Sequence, residues 1–124
     1  MRLEEKAIEN LEAAERLLDT RDGDLEPLNN AAASRAYYAA YAAVADRVLR
    51  SGRPLPGKGY FKHDSFPDDA FHYGFLTSEL RETLVWLRDL RVKADYEADQ
   101  VNYEEAALAT ERAKALLDAM VGNA

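Results

Sequence analysis

The sequence contains no cysteine. A disulfide scaffold, a thiolate metal site and a cysteine nucleophile are excluded together. It has two histidines, four prolines and six glycines in 124 residues. Two of those prolines and three of those glycines sit in one stretch, "SGRPLPGKG", residues 51–59. Long segments on either side are thus free of helix breakers. No apolar run is long enough to cross a bilayer. The opening, "MRLEEKAIEN", is charged rather than apolar and reads as no signal peptide. The expectation is a soluble cytoplasmic protein with no membrane partner.

Positive charge is also scarce. Sixteen basic residues face twenty-three acidic ones, for a net charge of −7. Affinity for phosphate backbones comes largely from Lys and Arg, so this balance argues against non-specific binding of long nucleic acid. One stretch departs from it. Residues 47–62 carry Arg47, Arg50, Arg53, Lys58 and Lys62 and no acid. The length fits one domain over residues 1–124, enough to bury a core without staples.

What the sequence has is helical periodicity. Leu3, Ala7, Leu11, Ala14 and Leu18 recur at helical spacing and predict a helix over 2–19. "TRDGD" at 20–24 ends it, with Gly23 suited to a left-handed position. A second helix is expected over 27–50, opened by Pro27. Its stretch "SRAYYAAYAAVADRVL", residues 34–49, is rich in alanine and apolar on most sides, which predicts a buried, central helix. One face carries Tyr37, Tyr41, Val44 and Val48; the neighbouring face carries Ser34, Arg35, Tyr38, Ala42 and Leu49.

The aromatic segment 60–75, "YFKHDSFPDDAFHYGF", predicts a loop and one short helix near 67–73. A fourth helix is expected over 77–95, with Leu80, Leu84, Leu87 and Arg91 on one face. A fifth is expected over 103–121, with Ala106, Ala109, Ala113, Leu116 and Met120 as its apolar stripe. Asn102 and Glu105 have the spacing of a capping box. No segment alternates like a strand. The fold class is therefore all-α: an antiparallel four-helix bundle with one additional short helix.

The end of the fourth helix, "LRDLRVKADYEAD", concentrates the chemistry. Arg88, Arg91 and Asp95 project from one face. Asp95 opposes the dipole of its own helix, and Arg91 four residues earlier is the weaker orientation for an ion pair. A cation from another helix would explain it. Arg35 is the first candidate, in a polar network of Ser34, Arg35, Tyr38 and Asp95. The competing reading has Arg35 run out to the surface along the alanines.

The two quoted stretches, with "RAYYA" in one and an "R-x-x-ADY" helix end in the other, resemble the HEPN domain family (higher eukaryotes and prokaryotes nucleotide-binding), in its small stand-alone prokaryotic branch. "KGYFKHDSF" is similar to the segment before that branch's third helix. The resemblance implies four long helices plus a short one, usually a homodimer. Many such proteins are RNases or toxins of toxin–antitoxin pairs, often encoded beside a minimal nucleotidyltransferase. Their catalytic motif is an Arg and a His separated by four to six residues. The Arg holds phosphate and the His moves the proton.

Arg91 fits that Arg. The positions for the His are Tyr96, Glu97 and Ala98. A tyrosine ordinarily titrates near ~10, which makes it a poor base at neutral pH. The expectation is thus a protein that binds phosphate, nucleotide or RNA through Arg88, Arg91, Lys93, Asp95 and Tyr96 without catalysis. Two rivals remain open: a metal-independent endoribonuclease using Arg91 with Tyr96, and an adaptor that binds only a partner such as a nucleotidyltransferase. His63 lies beside Lys62 and Asp64 in a loop stretch, and His72 lies among aromatics expected to pack on the core. Their spacing of nine lacks the i, i+4 geometry of a helical metal pair. No metal and no cofactor is expected.

Overall fold

The computed structural model describes residues 3–19, 26–52, 65–96 and 101–122. They form five helices: α1 (Leu3–Asp19), α2 (Glu26–Arg50), α3 (Phe66–His72), α4 (Ser78–Tyr96) and α5 (Tyr103–Gly122). No strand forms among the described residues. The all-α bundle expected from periodicity is the fold, and each helix lies within a residue or so of its expected span.

α2 is the centre. α1, α4 and α5 all pack against it, α1 and α4 each also meet α5, and α3 lies on α4. Alanine makes this close approach feasible. Ala32, Ala33, Ala36, Ala39, Ala40 and Ala45 are all buried. An alanine at such a position adds almost no girth and loses no side-chain entropy. Leu116 and Met120 of α5 and Leu11 and Leu18 of α1 supply the bulk between the helices. Burying a Leu or Met is worth roughly 1.5–3 kcal/mol.

The helix ends follow local chemistry. Asn102 and Glu105 form a reciprocal capping box at α5. The Glu105 N–H donates to Asn102 Oδ1 at 2.7 Å, and the Asn102 N–H donates to Glu105 Oε1 at 3.1 Å. At α4, Thr77 Oγ1 accepts from the Leu80 N–H at 3.1 Å. Gly74, after α3, has φ +85°, a conformation that L side chains rarely adopt. It turns the chain so that the Phe75 N–H reaches the Ala70 carbonyl at 3.0 Å. The residues just before α5 are tied to α2 by Asn30 Oδ1, which accepts from the buried Val101 N–H at 2.8 Å.

In the aromatic segment Phe66 is buried and Tyr73 and Phe75 pack against the core, as expected. His72 is exposed at the end of α3, with its ring edge against Phe71. The core contacts of α3 are made by Phe66, Pro67 and Ala70 instead. The three-residue step from Phe66 to Asp69 and the four-residue step to Ala70 leave His72 on the outer side of a two-turn helix. In the basic stretch, Arg50 pairs with Asp46 at 2.7 Å and Arg47 lies 5.7 Å from the Phe75 ring centre. Arg53, Lys58, Lys62 and His63 lie outside the described residues, as do Gly23, Glu97 and Ala98.

Candidate functional site

The leucine stripe of α4 ends in an arginine. Leu84, Leu87 and Leu90 are buried, and Arg91 continues them at 8 % exposure. The spacing that packs the leucines on α2 carries Arg91 to the same interface. It meets aromatic faces there. The Arg91 Cζ lies 5.4 Å from the Tyr37 ring centre, 5.6 Å from that of Tyr38 and 5.6 Å from that of Tyr96. A guanidinium is planar and weakly hydrated, so ring faces accept it where an ammonium would be costly to bury.

The edges of the guanidinium are less well served. Nη1 donates to the Tyr96 hydroxyl at 3.4 Å and lies 3.7 Å from Asp95 Oδ2. Both distances are long for charge-assisted bonds, which run about 2.7–2.9 Å. Nε is buried with no hydrogen-bond partner. A buried donor left unsatisfied costs roughly 1–3 kcal/mol. Arg91 is thus held by its faces, with its hydrogen-bonding edge underused.

The other residues named from the sequence divide. Ser34 on α2 donates to Asp95 Oδ2 at 3.4 Å, so Ser34, Tyr38, Arg91 and Asp95 do come together. Arg35 does not join them. It is exposed and donates to Asn10 Oδ1 on α1 at 3.2 Å. The expected Arg35–Asp95 pair is corrected to Arg91–Asp95. Arg35 lies about 100° round the helix from Ser34, and that rotation turns it towards α1 rather than α4.

Lys93 also leaves the group. Two residues on from Arg91 is about 200° round the helix, and its Nζ lies 3.5 Å from Glu105 Oε1 on α5. Arg88 stays near the site. Its Nη2 is 3.2 Å from Asp89 Oδ1, and its charge acts on Tyr37. Tyr96, five residues beyond Arg91, is 73 % exposed although its hydroxyl reaches the buried cation.

Tyr37 was legible only as a core residue. It is buried and packs against both Tyr38 and Tyr41, with ring centres at 5.3 Å and 6.1 Å. Burial pushes its phenol well above the usual tyrosine range, against the opposing pull of Arg91. A neutral, buried ring is what a cation–π wall requires. The signal for its role was present: an arginine in a leucine stripe must meet something on the facing helix, and the facing residues were tyrosines. Asn10, the partner of Arg35, had no such signal.

Among the described residues no helix is long and apolar enough to cross a membrane. No characterised protein and no solved structure gives a significant match to the chain. A family model does, and it spans residues 1–123, nearly the whole sequence. That family is the HEPN domain, and the chain belongs to it.

Proposed function

We propose that this HEPN protein is a nucleotide- or RNA-binding component of a toxin–antitoxin-type pair, with an incomplete cleavage motif. The observation that carries the reading is Arg91: a buried guanidinium walled by Tyr37, Tyr38 and Tyr96, with Nε unpartnered and its two other contacts long. A phosphate oxygen is the kind of acceptor such an edge can use, in paired charge-assisted bonds. Binding requires that Tyr96, mostly exposed, swing aside and that the phosphate displace Asp95 from its 3.7 Å contact.

Proton transfer is the missing function. Cleavage of an RNA strand through its 2′-hydroxyl needs a group that takes that proton and another that protonates the leaving oxygen. Such transfer contributes typically ~10²–10⁴-fold in rate. Arg91 cannot provide it, because a guanidinium stays protonated in proteins. Residues 96–98 offer Tyr, Glu and Ala where the family's motif has its His. On this reading the protein holds phosphate and does not turn it over.

The homodimer belongs to the same proposal. α2 is apolar on most of its circumference, and its Tyr41 meets Phe66 of α3 at 4.9 Å between ring centres. The ends of α2 and α4, together with the aromatic segment 60–75, are the proposed contact between copies. A nucleotidyltransferase is the proposed partner protein.

The reading is tested by purifying the protein from native cells and identifying bound nucleotide and protein by mass spectrometry. The expected result is a phosphate-bearing ligand retained by the wild type and lost in Arg91→Leu. Equal retention by both would remove Arg91 from the site.

A further inference from the structure

α1 and α2 enclose a groove of about 750 Å³, inside the usual range for small-molecule sites. Its lining is of mixed chemistry. α2 contributes Tyr38 and Tyr41, both half-buried, and the exposed Arg35; α1 contributes Lys6, Glu9 and Asn10. Two cations stand against one carboxylate, on a chain whose net charge is −7.

Arg35 is placed rather than loose. The Asn10 side-chain amide donates to the Lys6 carbonyl at 2.8 Å, which fixes its orientation. Its Oδ1 then accepts from Arg35 Nη1 at 3.2 Å. That bond engages one of the five N–H groups of a guanidinium. The tyrosine rings supply apolar faces beside the two cations, a combination suited to a planar base with a phosphate next to it.

Tyr38 links this groove to the Arg91 site. It lines the groove, and its ring also lies 5.6 Å from the Arg91 Cζ. Arg91 reaches the Tyr38 ring from α4, whereas Arg35, on α2 itself, shares the groove lining with Tyr38 on the side that faces α1. A ligand that engaged Arg91 and continued past Tyr38 would enter the groove.

We propose that the groove is the second half of the ligand track: a single RNA strand places one phosphate at Arg91, crosses Tyr38, and lays its next nucleotide between α1 and α2. The base lies against Tyr38 and Tyr41, and the following phosphate meets Arg35 and Lys6. This rests on the phosphate-binding reading of Arg91. It goes further by selecting single strands and by adding Arg35, Lys6 and Tyr41 to the site. A paired base keeps its faces stacked within the duplex, and rings set in a concave groove reach only unstacked bases.

The test is fluorescence anisotropy with a labelled ten-nucleotide oligoadenylate RNA, over a salt series, on wild type, Arg35→Glu, Lys6→Glu and Arg91→Leu. A blunt RNA duplex is the competitor, and sedimentation runs in parallel. Arg35 and Lys6 are exposed, so both charge reversals should melt as the wild type does. Each is expected to weaken binding roughly ten-fold or more, from the loss of a charge-assisted contact. Each should also lower the slope of log K against log salt by about 0.7, the value for one single-strand phosphate. The duplex should compete poorly.

Wild-type affinity in both reversals, with binding lost in Arg91→Leu, overturns the track and leaves the Arg91 reading standing. No binding by the wild type overturns both. A reversal that changes the sedimenting mass makes the groove a contact between copies, and a duplex that competes equally removes the single-strand preference; either result overturns the proposal.

Discussion

The Arg91 guanidinium carbon on α4 lies over the Tyr37 ring on α2, 5.4 Å from its centre, at the position where the leucine stripe of α4 would otherwise place an aliphatic side chain. An apolar residue would fill this site at no desolvation cost. The substitution leaves Asp95 without its cation, but that carboxylate is 32 % exposed and stays solvated, while a buried N–H with no partner is removed. Arg91→Leu is therefore expected to melt at or above the wild-type temperature while losing phosphate binding. Thermal melting followed by circular dichroism, with binding measured on the same sample, checks both halves. A sharp fall in melting temperature would make Arg91 a structural residue.

On the proposed reading, Asp95 competes with phosphate for Arg91. Asp95→Asn keeps the shape and removes the charge that lies 3.7 Å from Nη1. Inorganic phosphate should bind more tightly to this variant, by several-fold. Its stability should fall only modestly, about 1 kcal/mol, since Asp95 is partly exposed and screened. Calorimetric titration with phosphate and urea unfolding give the two numbers. Weaker phosphate binding would mean that Asp95 helps to hold the ligand.

Tyr37 sets an alkaline limit. Burial raises its phenol's pKa in the fold, whereas in the unfolded chain a tyrosine ionises near ~10. Below that pH both states are protonated and the group is neutral in its effect on stability. Above it the unfolded state loses a proton that the folded state keeps, so stability falls as pH rises. The urea midpoint should drop between pH 9 and 11 (roughly the ionisation range of a free phenol), and the drop should be smaller in Tyr37→Phe. An equal drop in both proteins would assign it to other groups.

The α5 capping box gives a local test of the fold. Asn102→Ala removes the acceptor 2.7 Å from the Glu105 N–H. Loss of such a cap costs about 0.5–2 kcal/mol, which denaturant unfolding resolves. A change within a few tenths of a kcal/mol would mean that solvent replaces the cap.

The bundle was legible because periodicity and capping are local. Leu3 to Leu18, the alanines of α2 and the stripe from Ala106 to Met120 each mark a buried face within one helix, and Asn102 with Glu105 marks a helix start. The site was legible in part. Ser34, Tyr38, Arg91 and Asp95 could be drawn together from two sequence stretches. Which arginine met Asp95 could not, because that depends on the rotation of α2 against its neighbours. Ser34 and Arg35 are adjacent in the chain and face different helices. Lys93 was misplaced for the same reason: proximity along α4 does not place two side chains on one face. Tyr37 reads as core when its own helix is taken alone; only the arginine in the leucine stripe of α4 signals that a cation lies over its ring.

The proposed function requires that this HEPN protein bind phosphate through Arg91 without cleaving RNA. The most direct measurement is a turnover assay with small RNAs and tRNA at neutral pH, on wild type, Arg91→Ala and Tyr96→Phe, with binding recorded alongside. The account predicts RNA binding by the wild type that weakens in Arg91→Ala, and cleavage by the wild type no faster than by either variant. Robust wild-type cleavage that disappears in both variants would contradict it and make Tyr96 the proton-transfer group in place of histidine.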